Sequence, residues 1–142
     1  MSDCVSCSRR EFLSATTVAA VGTFLAACSS GSDAVAGPQN VNLTVTLANF
    51  AALNVVGGIA QVSSTGTPVA VVRTGASSYR AFSMVCPHQG TVIGITSSGF
   101  RCPNHGATFN ANGARTGGER TSGLFEFTVT SNTTAGTITI TS

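Results

Sequence analysis

Lysine and tryptophan are absent from this 142-residue sequence, and charged side chains of all kinds make up only 8% of it. The seven basic residues are all arginines, scattered after Arg9-Arg10, so there is no basic run to serve as an electrostatic footprint for nucleic acid. Histidine occurs only twice, no glycine-rich phosphate loop is present, and no nucleophile-histidine-carboxylate set can be assembled. Beyond residue 40 no stretch carries an apolar i, i+3, i+4, i+7 stripe over three turns, which excludes a helical bundle. The five cysteines are odd in number and grouped as Cys4 with Cys7, Cys28 alone, and Cys86 with Cys102, a pattern that argues against a disulfide framework. With 42% apolar residues the chain can build one modest core.

The first 27 residues read as an address. Arg9-Arg10 precede an uncharged run from Phe12 to Ala27, too short for a membrane span, which ends in Leu25-Ala26-Ala27-Cys28. This resembles a twin-arginine export signal, and its end resembles a lipobox, which would make Cys28 the lipidated first residue of the exported form. Cys4 and Cys7 would then be removed with the signal. Residues 28–40, mostly small and polar without periodicity, read as a flexible tether, and residues 41–142 as the domain.

From Val41 the pattern alternates: Val41, Leu43, Val45 and Leu47 are apolar, and the residues between them are polar. Period two predicts a half-buried strand. Further strands are predicted over 54–62, 69–73, 79–85, 91–95, 124–130 and 137–141, separated by Gly, Ser, Asn and Pro clusters. The expected fold is all-β, an antiparallel sandwich or small barrel. Ser97-Ser98-Gly99 and Asn110–Gly113 carry turn chemistry.

Both histidines sit beside cysteines, in Cys86-Pro87-His88-Gln89-Gly90 and Cys102-Pro103-Asn104-His105-Gly106. The first unit follows the strand predicted over 79–85 and the second follows Phe100-Arg101, so two loop tips can converge on one metal centre formed by Cys86, His88, Cys102 and His105. Two thiolates and two imidazoles suit zinc or an iron-sulfur cluster alike. Gly90 and Gly106 are expected where backbone amides approach sulfur and a side chain would block them. Tyr79, Phe82 and Phe100, close before the ligand loops, read as core.

The paired motif, CPHQG with CPNHGATF, strongly resembles the signature of Rieske [2Fe-2S] proteins, and the resemblance runs from about Val41 to Thr141. It implies that Cys86 and Cys102 hold one iron and His88 and His105 the other, nearer solvent, in a three-sheet β fold with the loops as a small cluster-binding subdomain. Neutral imidazoles in place of two thiolates leave the oxidised site uncharged, which makes adding an electron easier than at an all-cysteine cluster. Thr91 and Asn104 stand where quinol-oxidising relatives carry a loop disulfide, and Ala107 and Phe109 where those relatives carry cluster-supporting hydroxyls. Fewer donors to sulfur predict a reduction potential in the lower to middle part of the Rieske range of about −150 to +300 mV. Gly117-Gly118-Glu119 stands where a proline-rich covering segment is usual, which predicts a more solvated cluster.

Twin-arginine export carries folded proteins, which agrees with a cofactor inserted before translocation. The resemblance therefore implies a one-electron carrier on the periplasmic face of the cytoplasmic membrane of a bacterium, taking electrons from a quinol or enzyme donor and passing them to a cytochrome-like acceptor. A subunit of a quinol:cytochrome c reductase-like or arsenite-oxidase-like complex fits that expectation. The alternatives are a ferredoxin component of an oxygenase system and a structural zinc module.

Overall fold

The computed structural model describes residues 37–63 and 66–142. The signal-like segment, Cys4, Cys7, Cys28 and the tether up to residue 36 lie outside the described residues. Ten strands follow in order: β1 (Asn42–Thr46), β2 (Ile59–Ser63), β3 (Val69–Arg73), β4 (Tyr79–Ser83), β5 (Gly94–Thr96), β6 (Gly99–Arg101), β7 (Thr108–Asn110), β8 (Arg115–Gly117), β9 (Glu126–Asn132) and β10 (Thr137–Thr141). They form a six-stranded sheet in the order β1-β10-β9-β4-β3-β2 and a four-stranded sheet β5-β6-β7-β8. Every pairing between named strands is antiparallel. The all-β expectation holds.

The three expected sheets appear as two because the larger is a fusion. Its halves meet only where β4 pairs β9, through Ala81↔Phe127 and Phe82↔Glu126. The alternation of β1 is realised, with Val45 buried and Asn42, Thr44 and Thr46 exposed. Strand β3, Val-Ala-Val-Val-Arg, is buried on both faces because two cores use it. Ala70 and Val72 join Phe82, Met84, Phe100 and Phe109 in one core; Val69 and Val71 join Val45, Leu53, Phe127, Ile138 and Ile140 in the other.

Local structure departs from the sequence expectation in three places. Residues 47–49 and 51–54 are 3-10 turns, and the predicted strand over 54–62 starts only at Ile59. Val55 and Val56 look like strand residues but precede Gly57 at φ +88, and Gly58, where a Cβ would overlap the Ala52 carbonyl. The run 91–95 contains only a single bridge, Val85↔Val92, before β5 begins at Gly94. Strands β6, β7 and β8, three residues each, are too short for any periodicity to show.

The first core also places the chemistry. Cys86, Cys102 and Ala107 belong to it, between the two sheets, packed with Phe82 and Phe100, whose rings meet edge to face at 6.1 Å. The thiols therefore emerge from a packed, buried core, as a site that must hold ligands in fixed geometry requires.

Candidate metal centre

Two loops of the same design carry the four predicted residues. The first is closed by the Val85↔Val92 bridge and the second by the Arg101↔Thr108 pair of the β6–β7 hairpin. In the first, Cys86 N–H donates to Thr91 O (2.8 Å) and Gly90 N–H to Cys86 O (2.9 Å). In the second, Cys102 N–H donates to Ala107 O (2.8 Å) and Gly106 N–H to Cys102 O (3.1 Å). Each cysteine thus opens a six-residue loop whose fifth residue, glycine, turns back onto it.

Gly90 and Gly106 have φ of +70° and +71°, and a Cβ at either would meet nothing within 4 Å. The expectation that a side chain there would block backbone amides is corrected. These glycines are required by left-handed backbone, which L-residues adopt only at a cost.

The donors are layered by depth. Cys86 and Cys102 are fully buried and free of disulfide, His88 is half-buried, and His105 is exposed. The two imidazole rings meet edge to face, 4.7 Å between centroids. His88 Nδ1 is the one buried side-chain nitrogen or oxygen among the described residues without a hydrogen-bond partner. An unpartnered buried polar atom costs roughly 1–3 kcal/mol, so a ligand for that lone pair is the physical expectation.

Burial and backbone donors oppose each other at the sulfurs. Burial pushes both thiols up, but the N–H groups of His105 and Asn104, joined by a hydrogen bond from Cys86, bring Cys102 below the ordinary thiol value. At Cys86 burial wins; donors from His88 and Gln89 offset only part of it, and the neighbouring Cys102 sulfur adds to the rise. Four peptide N–H groups aim at two sulfurs, an arrangement that stabilises thiolate and hence metal-bound sulfur.

The donor set fits a two-iron cluster. The two cysteines are buried together in one core and the two imidazole rings meet edge to face, so sulfur lies with sulfur and imidazole with imidazole.

Sequence reasoning missed three features around the loops. Asn104 Nδ2 donates to Thr91 Oγ1 at 2.9 Å, tying one loop to the other. Gly118, expected to leave the cluster uncovered, lies against the backbone of Gly106 and Ala107. Beside Pro103 a groove of about 490 Å³ is lined by Val92, Ile95 and Arg101, with Val92 and Ile95 exposed. Contacts between residues so distant in sequence have no local signal.

Comparison with known proteins agrees with this geometry. The Rieske [2Fe-2S] domain matches residues 45–128, more than half of the chain. No curated protein matches significantly. Among solved structures, the plasma membrane Rieske protein PetC3 of the cyanobacterium Synechocystis PCC 6803 is similar, with 27% identity and a TM-score of 0.55, covering 72% of this chain and 99% of PetC3. The quaternary ammonium Rieske monooxygenase CntA is similar in fold, at 22% identity and a TM-score of 0.56 over 70% of this chain. The chain spans about a third of that enzyme's length, 31%.

Proposed function

The chain belongs to the Rieske [2Fe-2S] family, whose domain binds a [2Fe-2S] cluster, and from that premise we propose that it is a one-electron carrier with Cys86, Cys102, His88 and His105 as cluster ligands. The observation that carries the ligand assignment is the unpartnered, buried Nδ1 of His88 beside the ring of His105, in loops whose two cysteines are free and buried.

When bound, the cluster supplies reversible one-electron chemistry in a site whose two imidazoles add no charge. The protein's part is to hold and to expose. Cys86 and Cys102 anchor from the core, and the N–H groups of His88, Gln89, Asn104 and His105 polarise their sulfurs without reorganising. His105 at the surface brings the site within reach of a partner. The apolar groove of Val92, Ile95 and Pro103, with Arg101 at its side, adjoins both loops and offers a contact surface to a partner protein.

The finer reading is an exported protein on the periplasmic face of the membrane, tethered by lipid on Cys28 or by an uncleaved signal. It would exchange electrons with a quinol or enzyme donor and a cytochrome-like acceptor, as shuttle or as subunit of a quinol:cytochrome c reductase-like or arsenite-oxidase-like complex. The Arg9-Arg10 and Leu25–Cys28 patterns support this. So does the likeness to PetC3, itself described as a plasma membrane protein. No helix among the described residues is long and apolar enough to cross a membrane. Membrane fractionation with mass analysis of the mature N-terminus tests the placement: acyl chains on Cys28 support it, and a signal cleaved elsewhere with soluble protein overturns it.

The likeness to CntA favours a second reading, a ferredoxin-like component of an oxygenase system. Oxygenation itself needs a further mononuclear iron site, and both histidines of the chain are already in the loops. Co-purification separates the two: an oxygenase partner supports this reading, a membrane cytochrome or molybdenum subunit the first.

A further inference from the structure

We infer that Arg115 is a positioning residue for the second ligand loop, acting by clamping the segment after β8 onto the backbone that follows His105; this rests on the ligand reading above. Strand β8 pairs with β7 through Thr108↔Gly117, and the ladder ends there. The chain then turns at Gly118 with φ +70°. A Cβ at Gly118 would overlap the Gly106 carbonyl and stand 2.8 Å from Ala107 Cα. The surface it touches is therefore the peptide next to His105 and the residue whose carbonyl closes the loop on Cys102 N–H.

Among the described residues no strand partner holds this segment in place. The hydrogen bonds reaching its outer carbonyls, among the described residues, come from one guanidinium: Arg115 Nε donates to Glu119 O at 2.8 Å and Arg115 Nη2 to Gly118 O at 2.6 Å. Glu119 turns its own carboxylate back to Arg120 N–H at 3.0 Å and does not compete for Arg115. Gly117-Gly118 has the greatest backbone freedom of any dipeptide, so without the clamp it has little reason to stay seated. A planar fork spans two carbonyls of successive residues; a lysine ammonium reaches them only as a single point.

Among the described residues no arginine clamps the first loop in this way. Arg115 thus acts on one loop, and its loss has a directional signature that general destabilisation lacks. The test compares amide hydrogen exchange in the purified holoprotein with that in Arg115→Gln and Arg115→Lys, alongside iron and sulfide content. The inference predicts exchange at the Cys102 and Gly106 amides faster by about tenfold in Arg115→Gln, with Cys86, Gly90 and β10 unchanged and Arg115→Lys in between. Iron release to a chelator and the breadth of the EPR signal should follow the same order. If Arg115→Gln does not fold, Arg115→Lys carries the comparison with a smaller difference. Equal acceleration in both loops, or none in either, overturns the inference. Protein with zinc and no sulfide in all forms overturns the ligand reading instead, and leaves the loop comparison readable.

Discussion

Asn104 Nδ2 donates a 2.9 Å hydrogen bond to Thr91 Oγ1, joining the two ligand loops at the positions where the disulfide-bridged relatives carry cysteines. One neutral side-chain bond at the surface stands in for a covalent link, and both remaining loop cysteines are free. The loops are consequently insensitive to thiol reductants. Thr91→Val should cost about 0.5–1 kcal/mol, and a cycle with Asn104→Ala should show the two effects to be coupled. Denaturant unfolding of the holoprotein checks this; fully additive effects would show that the bond contributes nothing.

Two kinds of glycine should respond differently to alanine. Gly90→Ala and Gly106→Ala meet open space, so each should lose only the about 1–2 kcal/mol of a left-handed L-residue. Gly113→Ala carries the same penalty at φ +75° and also drives a methyl to 2.6 Å from the Phe82 ring, which adds a further ~1–3 kcal/mol. Thermal unfolding should rank Gly113→Ala well below the other two.

Ala107 and Phe109 are buried beside the second loop without hydroxyls. Ala107→Ser adds a donor close to the sulfurs. If that donor favours the reduced site by about 1 kcal/mol, the potential rises by roughly 40 mV for one electron. Protein-film voltammetry reads it directly. A wild-type potential near the top of the family range, or no rise in Ala107→Ser, would refute the account of the missing hydroxyls.

Glu126 is held below the usual carboxylate range by hydrogen bonds from Arg80, with burial opposing in part. Its folded value is depressed, so its stabilising contribution is present above the ordinary carboxylate value and is lost as pH falls below it. Both side chains are a third or more exposed, 33% and 43%, which limits the effect to under about 1 kcal/mol. The stability gap between wild type and Glu126→Gln should therefore shrink between neutral pH and about pH 3. Urea unfolding across that window checks it.

The candidate ligand residues stood out in the sequence because a Cys-Pro start and a Gly end mark both loops, and each histidine lies inside one of them. Strands β3 and β10 were legible to the residue, since Val-rich and Thr/Ile-alternating runs bounded by turn residues have no competing structure. Strand β9 runs to Asn132, past its predicted end, because pairing with β10 extends it. Of the four-stranded sheet only β5 overlapped a predicted strand: tertiary pairing, not local preference, makes strands of Gly-Phe-Arg, Thr-Phe-Asn and Arg-Thr-Gly. The role of Arg115 depends on partners fixed only by folding, so composition gave no sign of it, whereas Thr91 and Asn104 were marked by the resemblance alone.

The ligand set is tested most directly by EPR on reduced, anaerobically purified protein, with iron and acid-labile sulfide counted per chain, in wild type and in His88→Ala. The account predicts a coloured protein with one reducible two-iron, two-sulfide cluster per chain and loss of that signal in the variant. A full cluster signal retained in His88→Ala, or wild-type protein that is colourless and carries zinc without sulfide, would contradict it.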